Sequence, residues 1–251
     1  MAVRRLTAAL AAAAGLALTL SPTVAGAAGT TLLPYTSSWK VLDDGTNQTP
    51  VALPASTHFA SPSYDASTWR TETVQANKVL GYGDNSRANF PTQTPNLGYG
   101  PSSSNKYITT YFRTTFTVGD LGSVTSLTLN VRRDDGIVVY LNGVEVGRDN
   151  MGTGPVTYTS WAPTVIDSSA EYTPVTLSIP TSALVAGENL LAIELHQRDG
   201  TSSDISFAAE LTAVVLDPVV PESSLPVLLG LLGAATGGAV LVVRQRRIAT
   251  R

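Results

Sequence analysis

Between Lys106 and Leu211, apolar and polar residues alternate with the period of a β-strand, and turn residues interrupt the alternation. From Tyr107 to Val118, Ile108, Phe112, Phe116 and Val118 share one face, while Tyr107, Thr109, Tyr111 and Arg113 share the other. That pattern predicts a half-buried strand of about ten residues. Leu127, Leu129 and Val131 repeat it, as do Val175, Leu177 and Ile179, then Leu191, Ile193 and Leu195, and finally Ile205, Phe207, Ala209 and Leu211. The stretch from Arg132 to Arg148 is different. It holds two apolar runs, Ile137 to Leu141 and Val144 to Val146, joined by Asn142-Gly143. Asn-Gly between β-branched runs predicts a two-residue hairpin, because a type I′ turn needs positive φ at both central positions. Asp134-Asp135-Gly136 is a second turn signal just ahead of it, so the chain is expected to reverse twice within one compact antiparallel sheet.

Upstream the pattern is weaker. Ser38 to Leu42 reads as a short strand ended by Asp43-Asp44-Gly45, after a first apolar stretch at Leu32 to Pro34. Pro50, Pro54 and Pro62 exclude a long helix from Thr46 to Arg70, and Asp65 to Trp69 reads as a turn that seats an indole on the domain. A second irregular stretch reaches Asn105, long enough that it is expected to lie over the sheets or carry function. Pro180 to Leu184 allows one helical turn, and Ala186-Gly187-Glu188-Asn189 a tight turn into the next strand. Short strands separated by turns, with no long amphipathic helix, predict an all-β antiparallel sandwich.

Both ends of the chain depart from this composition. Arg4 and Arg5, an apolar run from Leu6 to Leu20 and Ala25-Gly26-Ala27 predict a signal peptide over residues 1–27. Residues 28–216 form the sandwich, and 217–224, with Pro218 and Pro221, the linker. Leu225 to Val243 carries no charge; at about 1.5 Å per residue a helix there spans roughly 28 Å, the thickness of a hydrocarbon core. Arg244, Arg246 and Arg247 follow, so residues 225–243 are expected to form a transmembrane helix and 244–251 a basic cytoplasmic tail. The domain is then exported, faces outside and stays with the cell membrane or envelope.

Charge and cysteine content narrow the functional classes. From Ala28 to Val220 there are 18 acids and 10 Lys plus Arg, a net charge of −8, which argues against nucleic acid or anionic lipid as partner. The chain has no cysteine, so an exported fold must hold by its core alone. Its two histidines, His58 and His196, are too few for a dinuclear metallohydrolase, and no G-x-S-x-G elbow is present. Asp134 and Asp135 are neighbours; on an extended strand they point to opposite faces and make a poor acid/base pair. No catalysis is expected.

Binding chemistry remains. Asp134 and Asp135 could accept from sugar hydroxyls, ligate a structural Ca²⁺, or simply make the turn. Glu194 and His196 lie two apart on one strand and share a face, as a site or as a packed pair. Tyr82, Tyr99, Tyr107, Tyr111 and Trp161 could stack on sugar rings or pack in the core. A carbohydrate-binding module predicts exposed aromatics on a concave face or loop edge. A structural surface protein without a small ligand predicts that they are buried. Tyr111 and Trp161 are the residues that discriminate.

The motifs Asp134-Asp-Gly136, Val138-Val-Tyr-Leu-Asn-Gly143 and Ala186-Gly-Glu-Asn-Leu-Leu-Ala-Ile-Glu-Leu-His196 together resemble a galactose-binding-domain-like jelly roll. Leu80-Gly-Tyr-Gly-Asp84, Asn105-Lys-Tyr-Ile-Thr-Thr-Tyr-Phe-Arg113 and Ser202-Ser-Asp-Ile-Ser-Phe207 extend the resemblance over most of residues 39–212. Such modules are appended to secreted bacterial phosphoesterases and lamin-tail surface proteins. The resemblance implies a carbohydrate or cell-envelope polymer as ligand, or an accessory role to a phosphoesterase acting in trans. It points to Arg133, Asp134, Asp135, Tyr140 and His196 as ligand-binding residues, with Tyr140 stacking and Arg133 donating to a hydroxyl. The tail, Pro221-Glu222, an apolar span and then Arg, is similar to a PEP-CTERM-type sorting tail, with serine where that motif has its second proline. That likeness implies a sorting protease as a further partner.

Overall fold

A computed structural model describes residues 27–50, 52, 56–83, 92–167 and 169–216. The leader before Ala27, the linker, the apolar segment and the basic tail lie outside the described residues. Among the described residues, no helix is long and apolar enough to cross a membrane.

The strands are β1 (Ala27–Leu33), β2 (Ser38–Leu42), β3 (Arg70–Thr73), β4 (Lys78–Tyr82), β5 (Thr92–Asn96) and β6 (Thr109–Val118). They continue with β7 (Val124–Asp134), β8 (Gly136–Leu141), β9 (Val144–Asp149), β10 (Val175–Ile179), β11 (Gly187–His196) and β12 (Ile205–Leu216). Helical structure is confined to α1 (Ser169–Tyr172) and the 3₁₀ turns Leu121–Ser123 and Thr181–Ala183. The first sheet runs β10-β7-β12-β4-β5 with β1 also against β12, and the second runs β3-β2-β6-β11-β8-β9. Pairing is antiparallel except between β4 and β5, which are parallel.

The hairpin at Asn142-Gly143 forms between β8 and β9, with φ of 52° and 82° at the two residues. The Asn142 side chain secures it, donating to Ala183 O at 2.8 Å and accepting from Leu190 N at 2.8 Å. The turn at Asp134-Asp135-Gly136 does something other than expected. β7 belongs to the first sheet and β8 to the second, so the chain crosses between sheets here instead of reversing within one. A Cβ on Gly136 would meet Asn150 O at 2.5 Å and Met151 Sδ at 2.6 Å, so only glycine lets the following loop pass this close.

Two apolar clusters hold the layers. Between the sheets, Phe112 stacks on Phe207 at 3.9 Å and Trp39 meets Phe207 edge-on at 5.0 Å. A second cluster, Phe59, Ala60, Trp69, Tyr111, Val138, Tyr140 and Ala192, covers the other face of the second sheet, with Tyr64, Ala66, Met151, Val156 and Tyr158 packed on it. The central strands of that sheet are therefore buried on both faces, which is why Ile137 to Leu141 shows no alternation. β6 departs from the half-buried expectation for the same reason. Tyr111 and Arg113, assigned to the solvent side by periodicity, lie under the loop from residue 56 to 69. Arg113 fixes that loop by donating to the carbonyls of Phe59 and Ser61.

The registers define two poles. Thr109, Asp134, Gly136, His196 and Ile205 lie at one, here the upper pole, while Val118, Val124, Leu141, Gly187 and Leu216 lie at the other. Ala27 pairs with Leu216, so both ends of the described chain are at the lower pole.

Gly143→Val is expected to cost more than about 1 kcal/mol, since a β-branched residue resists the positive φ observed there. Urea denaturation measures it; an unchanged midpoint would contradict the turn.

Candidate functional site

The residues singled out at Arg133 to Asp135 and at His196 all gather at the upper pole and are buried, and Arg133, Asp135 and His196 are engaged in hydrogen bonds. Asp135 is 0% exposed. Its Oδ1 accepts from Ile166 N at 2.7 Å and its Oδ2 from Arg198 N at 2.6 Å. One carboxylate thus ties two loops to the crossover, and neither oxygen is free for a sugar hydroxyl. Arg133 donates from Nε and Nη2 to Asp149 Oδ2, which joins the end of β7 to the end of β9. Asp134 is 1% exposed, and its Oδ2 has no hydrogen-bond partner among the described residues. Burial raises its pKa well above the usual carboxylate range, and the charges of Asp135, Asp204 and Glu171 add to the rise. Among the described residues, no group of three or more His, Asp or Glu is arranged to hold a metal ion.

Tyr140 and His196 belong to a polar row on the covered face of the second sheet. Glu194 lies opposite Tyr111 and Val138, and His196 opposite Thr109 and Gly136. Tyr140 does not present a stacking face to solvent: it is buried, and its hydroxyl donates to Glu194 Oε1 at 2.7 Å. Desolvation raises the Tyr140 pKa, and the Glu194 charge and hydrogen bond raise it further. His196 Nδ1 lies 2.8 Å from the carbonyl of Ser160, so it carries hydrogen and donates. Its Nε2 lies 3.5 Å from Glu194 Oε2. Neither of these two buried atoms has a hydrogen-bond partner among the described residues. Thr109 Oγ1 donates to the carbonyl of Tyr158 at 2.7 Å. The row therefore acts on the loop above it, holding the carbonyls of residues 158 and 160 in place.

That loop presents Trp161, which is 42% exposed. Trp161 and Tyr158 line a cleft of about 250 Å³ with Gly45, Pro101 and the segment from Asn105 to Thr109. The Tyr107 ring lies against the backbone at Gly45 and Gly100, where a Cβ would stand 2.4 Å and 2.9 Å from it. Lys106, the one charged residue of the lining, donates to Ser103 O at 2.7 Å and sits 5.8 Å from the Tyr99 ring centroid. Tyr99 is exposed as well. The cleft thus offers aromatic faces beside amide, hydroxyl and ammonium donors, a combination suited to a sugar ring.

A second cleft of about 420 Å³ opens on the same pole, lined by Val165, Ile166, Asp167, Glu171 and the segment 198–204 apart from Gly200. The other face of the second sheet carries a third, about 500 Å³, with His58 and Tyr140 at its floor and Glu145 and Arg148 at its rim. His58 Nδ1 accepts from Ala60 N at 3.2 Å, and burial lowers the His58 pKa.

Of the aromatics named from sequence, Tyr82 and Tyr111 are buried, Tyr107 is partly covered, and Tyr99 and Trp161 are exposed. Pro101, Asn105, Lys106 and Tyr158 were not singled out as site residues. They lie in irregular segments where no periodicity marks a face.

No protein-family model matches the chain, and no curated protein matches it. Among solved structures it is similar to β-glucuronidase 2 of Bacteroides uniformis, at 17% identity and a TM-score of 0.43, over 76% of this chain and 18% of that one. A β-glucuronidase of an uncultured Clostridium species gives 14% identity and 0.42, over 78% and 31% of the two chains. That of Bifidobacterium dentium gives 17% and 0.37, over 68% and 20%. The chain spans less than a third of these enzymes, and likeness of this degree carries no weight for its function.

Asp134 yields a pH prediction. With its folded pKa raised, the folded state keeps a proton that the unfolded chain loses near pH ~3.9, so stability falls as pH rises above that value. Asp134→Asn is expected to remove this fall. Urea unfolding should find the variant more stable than the parent at pH 8, with the gap closing toward pH 4; a gap independent of pH would contradict the assignment.

Proposed function

We propose that this chain is an exported, envelope-anchored module of the galactose-binding-like jelly-roll type. It binds carbohydrate through the Trp161 cleft and carries out no catalysis. The strand order supports the fold assignment. Taking β4 and β6 to β12 as strands one to eight, the sheets read 1-8-3-6 and 2-7-4-5, with β1, β5, β2 and β3 added at their margins. Export and anchoring are supported by the leader and tail sequences, and the tail's likeness to a sorting signal makes a processing protease the expected partner there.

The observation that carries the binding reading is the exposure of Trp161 in a cleft with Tyr107 and Tyr158, on a loop fixed from below by His196 and Thr109. Burial of an exposed indole against the apolar face of a sugar, with hydrogen bonds at its edge, is a sufficient source of weak affinity. Tyr111, at 1% exposure, favours the structural-protein reading, because it contributes only to packing. The two residues therefore disagree, and the exposed one marks where a ligand can bind. Glu194 and His196 are enclosed, so they serve this reading as positioning groups.

Affinity electrophoresis of the purified full-length protein against wall polysaccharides tests this. Trp161→Ala is expected to weaken retardation about tenfold, equivalent to ~1.4 kcal/mol, without lowering the melting temperature. If the parent binds none of them, the structural-protein reading takes its place. For topology, protease added to intact cells is expected to digest the region from Ala28 to Leu216; full protection would refute an outward-facing domain.

A further inference from the structure

We infer that the cleft on the other face of the second sheet, with His58 and Tyr140 at its floor, binds a small neutral carbonyl compound, a ketone, ester or tertiary amide on an apolar body. Its lining shares no residue with the Trp161 cleft, so the inference does not depend on the carbohydrate reading.

The two segments that cover this sheet leave the cleft between them. His58 comes from the loop before β3, and Pro155 and Val156 from the segment after β9. At about 500 Å³ it has the size of a small-molecule site. His58 is 5% exposed, and its ring is fixed by stacking on Phe59 at 5.3 Å and meeting Tyr140 edge-on at 5.5 Å. Burial lowers its pKa and keeps the ring neutral. Nδ1 accepts from Ala60 N, so the ring hydrogen is on Nε2. That N–H has no hydrogen-bond partner among the described residues, and the side chain carrying it lines the cleft. The floor therefore presents one clamped, unused donor.

The other polar groups of the lining are already committed. Arg148 donates from Nε and Nη2 to the two oxygens of Glu145, and from Nη1 to the carbonyls of Gly152 and Gly154. The Tyr140 hydroxyl donates to Glu194, which leaves its ring as the surface offered. Val144, Pro155 and Val156 complete the walls, and Val144 is 56% exposed, an apolar side chain at the mouth. This lining selects by chemistry. A carboxylate or phosphate would need a free cation, yet Glu145 neutralises Arg148 and the Glu194 carboxylate behind Tyr140 adds negative charge. A hydroxyl or a secondary amide would bring a proton that the apolar walls leave unpaired. A ketone, ester or tertiary amide accepts from His58 and brings none, while its body covers Val144, Val156 and the Tyr140 ring.

The chain has two histidines, and His196 is enclosed, so the histidine ring signals report on this cleft directly. Full-length protein with isotope-labelled histidine rings, titrated with N,N-dimethylbenzamide and followed by NMR, is expected to show the His58 signals shifting saturably while those of His196 stay in place. Benzoate and benzyl alcohol carry the same ring with a charge or a hydroxyl. They should bind about tenfold more weakly, the scale of one hydrogen bond. His58→Phe keeps the packing and removes the donor, so in ligand-observed NMR it should erase the preference for dimethylbenzamide over benzyl alcohol. Val144→Glu, at an exposed side chain, should weaken dimethylbenzamide several-fold without changing the melting temperature, and it serves as the test if His58→Phe does not fold. No saturable shift of His58, equal shifts at His196, benzoate binding as tightly as dimethylbenzamide, or binding indifferent to Val144→Glu would each overturn the inference. None of these outcomes bears on the Trp161 cleft.

Discussion

Asp135 holds the upper pole of this molecule together. The crossover from β7 to β8 brings its carboxylate into the interior, where each oxygen accepts a backbone N–H from a different loop. A buried carboxylate is costly unless its oxygens are satisfied, and backbone amides of irregular segments are costly unless they find acceptors. Here each requirement meets the other. Charge-assisted bonds of this kind are worth roughly twice a neutral one, and they act on loops with no ladder of their own. His196 and Thr109 do the same for the carbonyls of Ser160 and Tyr158. The buried polar groups of the upper pole are thus best understood as anchors for what lies above them.

This arrangement depends on covering both faces of the second sheet. A sheet with one solvated face would have left Glu194, His196 and Tyr140 in water, free to meet a ligand but unable to hold a loop. The cover formed around Phe59, Trp69 and Met151 buries that row and makes each unpaired polar atom in it expensive. Tyr140 satisfies one Glu194 oxygen, and the other lies 3.5 Å from His196 Nε2. Arg113 meets the same demand in reverse, its guanidinium buried but donating to the carbonyls of the loop that buries it.

The regular strands were legible because period-two alternation and Asn142-Gly143 depend on local physics, and both appear in the structure. What alternation could not reveal was what covers each face. Tyr111 and Arg113 occupy polar-side positions of β6 and yet are buried, because the cover is an irregular loop more than forty positions away in sequence. Asp134-Asp135-Gly136 was legible as a change of direction. Whether such a turn stays within a sheet or crosses between two is a tertiary matter, decided by where β7 and β8 find partners. The same limit applies to the site. Asp and Arg residues at a turn look identical in sequence whether they face a ligand or anchor a loop, so Arg133, Asp134 and Asp135 stood out for chemistry that the fold uses internally. Trp161 was visible as one of two discriminating aromatics, but its exposure was not, since exposure of a loop residue leaves no periodic trace.

The poles connect this geometry to the proposed setting. β12 runs from Ile205, beside the loop that shapes both upper clefts, to Leu216, which pairs with Ala27. At about 3.3 Å per residue its length separates the two poles by roughly 40 Å. The first and last described residues meet at one pole, and the exposed Trp161 and Tyr99 stand at the other. The long antiparallel pairing of β12 with β7 and β1 thus places the two described ends at the pole opposite the Trp161 cleft.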